Sequence, residues 1–443
     1  MKLKLTIIAA MAIILVAACE KAKEPVDYVN PYIGNVSHLL VPTFPTVHLP
    51  NSMLRVFPKR WDYTTERIDG FPIIVTSHRE TSPFTLSVTQ GEPAPVVSYA
   101  YDREKITPYS YEVTVADGDI DVEFAVSHQS AIYRISFLKD GRSALIMNSA
   151  NGVMNVDGNV ITGTQVIQDQ TTVYLYMETA QTPVSTGFLN PACVTMTFDE
   201  RTVDVRYGVS FISIEQAKNN LRREIQDYDL DAVKAAGRKI WNDVLGRMEV
   251  KGGDDDDKTV FYTSYYRNFE RPVCISEDGR YWSGFDNSVH EDGGVPFYND
   301  DWIWDTYHAS HPLRIMMNRE VEEDILASYL RMAEQMGTMW MPTFPGIAGD
   351  SRRMNANHGI ATFADAIVKG LDVDKEKAWE AAYKGLTEKT LIPWRGVANT
   401  VLDEFYWENG YMPALGNGEA EFAPLEVPPG IHIIVTDNSS DDV

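Results

Sequence analysis

The 443-residue sequence is poor in three things: cysteine, positive charge and long apolar runs. Lys and Arg total 39 against 63 Asp and Glu, a formal net charge of −24. A surface that negative repels phosphate backbones, which excludes nucleic acid as a partner. Three cysteines are present, and the two in the body of the chain, Cys193 and Cys274, lie far apart. They form no CxxC and have no histidine at ligand spacing, so a zinc site is excluded. Both sit in apolar surroundings and read as buried thiols rather than as a disulfide pair. There is also no GxSxG elbow, no P-loop and no dinucleotide-binding fingerprint.

The one long apolar run is at the N-terminus. Lys2 and Lys4 precede "TIIAAMAIILVAAC", which is too short for a comfortable membrane span. It ends in Val16-Ala17-Ala18-Cys19. Small residues before a cysteine, after a signal-like apolar segment, resemble a bacterial lipobox. The expectation is a lipoprotein signal over 1–19, cleaved before Cys19, with lipidation of the Cys19 thiol and a charged tether over 20–27. The product is an exported lipoprotein of the periplasm or cell surface, held by an outer-membrane lipid anchor without spanning the membrane.

The length predicts more than one core. Over 28–215, short runs such as "SYEVTVADGDIDVEFAVSH" and "RTVDVRYGVSFISI" alternate apolar and polar residues. Turns such as "ADGD", "LKDGR" and "NVDGN" separate them. With no helical crossovers between them, these strands predict an antiparallel β-sandwich. Helical spacing begins near residue 215, and 216–257 reads as a helical linker ending in "KGGDDDDK", whose glycines and like charges break the helix. From 258 to 420 helices joined by long loops follow. Arg319 to Met336 carries a stripe of Val321, Ile325, Tyr329, Met332 and Met336. "HGIATFADAIVKG" is another helix, closed by Gly370. Helix, loop, helix at similar spacing predicts a helical toroid, incomplete in this chain. The tail over 421–443 is atypical, with no helical period.

The stretch "FYNDDWIWDTYHASHPL", 297–313, concentrates acids, indoles and imidazoles. Aromatic faces stack on sugar rings while carboxylates accept hydroxyl hydrogen bonds. Asp301, Trp304, Asp305 and His308 are spaced to share one face of a helix. The alternative is a buried helix end, with Asp300 or Asp301 as cap, the indoles as core and His308 bonded to a backbone carbonyl. Asp286, His290 and Glu291 in the preceding glycine-rich loop match no strong metal motif.

"VNPYIG" (29–34), "FYTSYYRNF" (261–269), "DGRYWSGFD" (278–286), "WDTYHASHPL" (304–313) and "FADAIVKG" (363–370) occur in that order. Together they resemble glycoside hydrolase family 92, the exo-α-mannosidases of gut Bacteroidetes, from about residue 27 to about 420. The resemblance implies an N-terminal β-sandwich and a C-terminal (α/α)6 barrel. It also implies calcium dependence, inversion at the anomeric carbon, and mannose-containing glycans as partners. Asp305, and with it Trp304, matches family residues lining the sugar pocket, and Trp61 in "PKRWDY" is offered to its outer part. Asp301, His308 and His358 are added on chemical grounds as further substrate-binding residues.

The family's acid, base and main calcium ligands come from later segments, a Gly-Asn-Glu-Pro and an Asp-x-Gly-Gln. Neither occurs in this sequence, and "GNGE" at 416–419 lacks the proline. No catalytic residue or metal ligand is therefore assigned, and the expectation is a partial mannosidase without activity of its own. The alternatives are a non-catalytic glycan-binding surface lipoprotein and a structural lipoprotein with an unused cleft. Nothing in the sequence fixes the oligomeric state.

Overall fold

A computed structural model describes residues 23–411, apart from 37–42, 61–64, 77–82, 117–118, 169, 354–355, 391 and 393–395. The signal segment with Cys19, Trp61, the "GNGE" string and the atypical tail lie outside the described residues. The chain divides into two compact units, Met1–Trp282 and Ser283–Val443.

The first unit is built on two antiparallel sheets. One has nine strands, with Thr202–Ser210 and Ser130–Phe137 near its centre, and the other has five, with Ser143–Ser149 at its centre. The alternation seen in the sequence has its cause here. In Ile120–Val126, Ile120, Val122, Phe124 and Val126 are buried on one face, while Asp121 and Glu123 are partly exposed on the other. The two sheets meet through Phe71 and Tyr133, ring centroids 6.3 Å apart, and through the Tyr207 hydroxyl, which donates to the Ile73 carbonyl at 2.8 Å.

The segment expected as a linker instead packs on the outer face of the nine-stranded sheet. Helix Ile214–Glu224 lays Ala217 and Leu221 against Ala125, Ile132 and Tyr176, with Ile225 and Leu230 closing the cluster. Gly208 permits this approach: a Cβ there would sit 2.1 Å from the Ala217 carbonyl oxygen and 3.0 Å from the Leu221 nitrogen. Ion pairs hold the same helix. Glu178, on the sheet, accepts from Arg206 at 2.6 Å and from both terminal nitrogens of Arg222 at 3.0 and 2.6 Å.

The aspartates of "KGGDDDDK" start a helix as well as ending a linker. Gly252 and Gly253 take positive φ, and Asp254 then caps helix Asp255–Arg267 with a capping box. Asp255, Asp256 and Asp257 occupy the first turn, where the helix dipole favours acids. Cys193 and Cys274 are not disulfide-bonded, and burial pushes the Cys193 thiol up to about 11.

The second unit contains, among its described residues, helices Ile303–Thr306, Ser310–Met317, Arg319–Gln335, His358–Val368, Lys375–Thr387 and Val401–Asn409. Arg319–Gln335 is its spine. Ile325, Tyr329 and Met332 of the predicted stripe are completely buried, and Val321 is half-buried. Gly337 and Gly370, both at positive φ, follow the ends of two of these helices.

Candidate functional site

The acidic aromatic stretch does not form one continuous helix. Ile303–Thr306 is a single turn, and a new helix starts at Ser310. Pro312 explains the break: in a continuous helix its ring would meet the His308 carbonyl and its missing N–H would leave that carbonyl unbonded. In the first turn of a new helix the missing N–H costs nothing. Ahead of the short helix, Asp300 takes φ 58°, a left-handed turn that aspartate tolerates. The shared face expected for Asp301, Trp304, Asp305 and His308 is therefore not formed; the chain divides them between inside and outside.

Asp301 turns inside and is completely buried. One carboxylate oxygen accepts from the Thr306 hydroxyl at 2.9 Å. The other accepts from the Tyr329 hydroxyl at 2.5 Å and faces His311 Nε2 at 3.2 Å. His311 Nδ1 meets Glu322 at 2.7 Å, and Arg314 lies 3.7 Å from the second Glu322 oxygen. Both imidazole nitrogens thus face carboxylates, so both carry protons. Although burial opposes the charge, Glu322 and Asp301 outweigh it and push His311 up to about 9. The same contacts, led by the His311 hydrogen bond, overcome burial and hold the Asp301 carboxyl well below the usual range. Two acids and two bases are thereby balanced inside the unit. Sequence reasoning assigned no role to His311 or Glu322, and placed Tyr329 only in the apolar stripe of its helix. The available signal was Glu322, an acid three, four and seven residues ahead of Ile325, Leu326 and Tyr329 on the apolar face of its helix.

Trp304, Asp305 and His308 face outward and are exposed. Trp304 sits edge-on to His358, ring centroids 5.0 Å apart at 75°. His358 stacks on Tyr307 at 4.1 Å and 19°, and Tyr307 touches His308 at 4.3 Å. Trp304, His308 and His358 are thus brought into one cluster, with Tyr307 at its centre. His358, first residue of its helix, is held below the usual imidazole range by burial and by His308. Its Nε2 is shielded and has no hydrogen-bond partner among the described residues. The rings give a wall able to stack on the apolar face of a sugar, with a shielded polar atom and the Asp305 carboxylate beside it. Behind this wall, Trp302 stacks on Phe344 at 5.5 Å, and the Asp301 N–H donates to the Pro345 carbonyl at 3.1 Å.

In the glycine-rich loop, His290 Nε2 bonds Asp286 at 2.8 Å. Calcium takes about six to eight oxygen ligands. Among the described residues no group of three or more His, Cys, Asp and Glu is placed to hold a metal.

Two family profiles match the sequence. The glycosyl hydrolase family 92 N-terminal domain covers residues 28–212 and the family 92 catalytic domain covers 216–424. A family GH92 inverting mannosidase from Bacteroides thetaiotaomicron superposes with a TM-score of 0.79 at 27% identity, over 89% of this chain and 59% of that one. A family GH92 α-mannosidase from the same organism, in complex with mannoimidazole, gives a TM-score of 0.74 at 21% identity, over 82% and 56% of the two chains. An uncharacterized secreted glycosidase of Arthroderma benhamiae is 29% identical over 84 residues, 18% of this chain and 11% of that protein. The chain spans less than two thirds of the length of each of these relatives.

Proposed function

Because the chain belongs to glycosyl hydrolase family 92, we propose that it handles α-mannosides as part of an inverting exo-α-mannosidase, and that its helical unit provides the wall on which mannose stacks. The observation that carries this reading is the convergence of Trp304, Tyr307 and His308 with His358, which comes from a later helix, into one partly exposed ring cluster beside Asp305. The relative that holds mannoimidazole, a small polar ring, supports the same choice of ligand.

An inverting reaction needs a carboxylic acid and a carboxylate base about 6.5–9.5 Å apart with water between them. Asp301 does not suit either role. It is ionised, sealed from solvent, and both its oxygens are bonded. Asp305 alone cannot be both acid and base. Asp301 and Asp305 therefore do not make up the acid–base pair, and the wall is assigned to binding and orienting mannose. The stacking contacts of this wall do not depend on a calcium ion.

The test is ligand NMR on the 443-residue chain. Saturation transfer to methyl α-mannoside is expected, with little to methyl α-glucoside and a clear loss in Trp304→Ala. Absence of transfer to the mannoside, or equal transfer in the variant, would reject the wall as the sugar site.

A further inference from the structure

A second polar feature of the helical unit lies where the loop over Trp340–Arg352 meets the segment after helix Lys375–Thr387. Lys389 and Arg352 are both nine-tenths or more buried, at 2% and 7% exposure. The Arg352 guanidinium lies over the Trp340 ring, 5.4 Å from its centroid, and its Nη2 reaches only the Met336 sulfur at 3.7 Å. Its Nη1 is shielded and has no hydrogen-bond partner among the described residues. The Lys389 ammonium has no hydrogen-bond or ion-pair partner among the described residues, and Arg352 is near enough to oppose its charge.

The nearby acids do not resolve this. Asp350 lies close to Lys389, but its oxygens already accept from the backbone N–H groups of Thr343, Phe344 and Arg352 and from the Thr343 hydroxyl. Glu388 is exposed and accepts from Trp340 Nε1 at 3.3 Å. Around the two cations the Lys389 backbone bridges to Ala398, the Thr390 N–H donates to the Val397 carbonyl, and a Cβ on Gly396 would lie 2.9 Å from Arg352 Nε. Backbone thus closes over the guanidinium. Two adjacent buried cations with unused donors are unfavourable unless an anion completes them.

We propose that Arg352, Lys389 and Trp340 form a pocket for a compact oxyanion of the phosphate type, either free phosphate or the phosphate of a phosphorylated sugar. The guanidinium offers a planar donor, the ammonium a point charge, and the indole fixes the guanidinium plane. A neutral hydroxyl group would leave both charges uncompensated. This inference does not depend on the α-mannoside reading, since no residue of the aromatic wall takes part.

The experiment compares the melting temperature of the 443-residue chain in inorganic phosphate and in chloride of equal ionic strength, with phosphate affinity read by titration calorimetry. Phosphate is expected to raise the melting temperature specifically. Lys389→Met is expected to melt above the parent in chloride, because an unpaired buried charge is gone, and to lose the phosphate response. Arg352→Gln keeps the test open if Lys389→Met does not fold, and its phosphate affinity should fall by about tenfold or more, as expected for a charge-assisted bond. Mannose 6-phosphate distinguishes the sources: tighter binding than phosphate assigns a phosphorylated sugar, and equal binding assigns the free ion. The proposal is overturned if neither compound binds, or if the variants respond to phosphate as the parent does.

Discussion

Replacing His311 by glutamine tests the buried charge balance directly. The substitution keeps much of the side-chain volume and removes the cation between Asp301 and Glu322, which are both completely buried. Breaking a buried pair on one side costs about 3–5 kcal/mol, because the stranded charge stays inside. The pH dependence gives a second, sharper reading. His311 has its folded pKa raised from 6.5 to about 9. Its contribution is therefore complete below pH 6.5, declines between 6.5 and 9, and is gone above 9. A shift of that size corresponds to about 3 kcal/mol. The depressed Asp301 carboxyl reports the same contacts and adds nothing further. Urea unfolding followed by circular dichroism at 222 nm, from pH 6 to pH 10, should show the parent losing stability across this window while His311→Gln stays flat. Equal slopes in parent and variant, or a variant within about 1 kcal/mol of the parent at pH 6, would refute the imidazolium assignment.

Other outcomes follow from the same structure. Trp304→Ala should weaken methyl α-mannoside binding by about tenfold, the value of one stacked ring, from a parent affinity near millimolar, about 4 kcal/mol. The purified 443-residue chain should release no mannose from α-mannobiose, with or without calcium; product in a reducing-sugar assay would place an acid–base pair among its residues. Gly208→Ala should destabilise the β unit by about 1–3 kcal/mol, since the added methyl meets the Ala217 carbonyl at 2.1 Å, and an unchanged melting temperature would contradict the close packing. We propose lipidation at Cys19, so mass spectrometry of the membrane fraction should find an acylated Cys19 as the mature N-terminus; an unmodified N-terminus elsewhere would reject the anchor.

What could be read from the sequence depended on how local its cause was. Asp157-Gly158 joins Val153–Asp157 to Val160–Ile167, which pair as a hairpin, as the turn signal implied. Asp140-Gly141 looks the same in sequence, yet Ser130–Phe137 belongs to the nine-stranded sheet and Ser143–Ser149 to the five-stranded one. A turn motif fixes the local reversal; the partner is chosen by burial far away. The helical stripe of Arg319–Gln335 was legible because its period is local, whereas Glu322 on the same helix acquires its meaning only from His311. The sugar wall follows the same rule. Trp304 and His308 stood out by composition, but the stacking of His358 on Tyr307 arises from the packing of two helices. The break at Pro312 divides the turn Ile303–Thr306 from the helix that starts at Ser310, whereas Asp301 is buried just after the left-handed turn at Asp300, ahead of both.

The single turn Ile303–Thr306 is too short to hold its own hydrogen bonds in water. It carries the exposed wall, yet its Thr306 hydroxyl is tied to Asp301, which is anchored in the interior by Tyr329 and His311. The N–H groups of Asp305 and Thr306 bond the Trp302 carbonyl, and that of Tyr307 bonds the Ile303 carbonyl. Hydrogen exchange at these amides should then be as slow as in the core helix Arg319–Gln335, because they open only when the whole unit opens. A sugar arriving at Trp304 meets rings at the surface carried on a backbone with the protection of the interior, and its binding should leave those exchange rates almost unchanged.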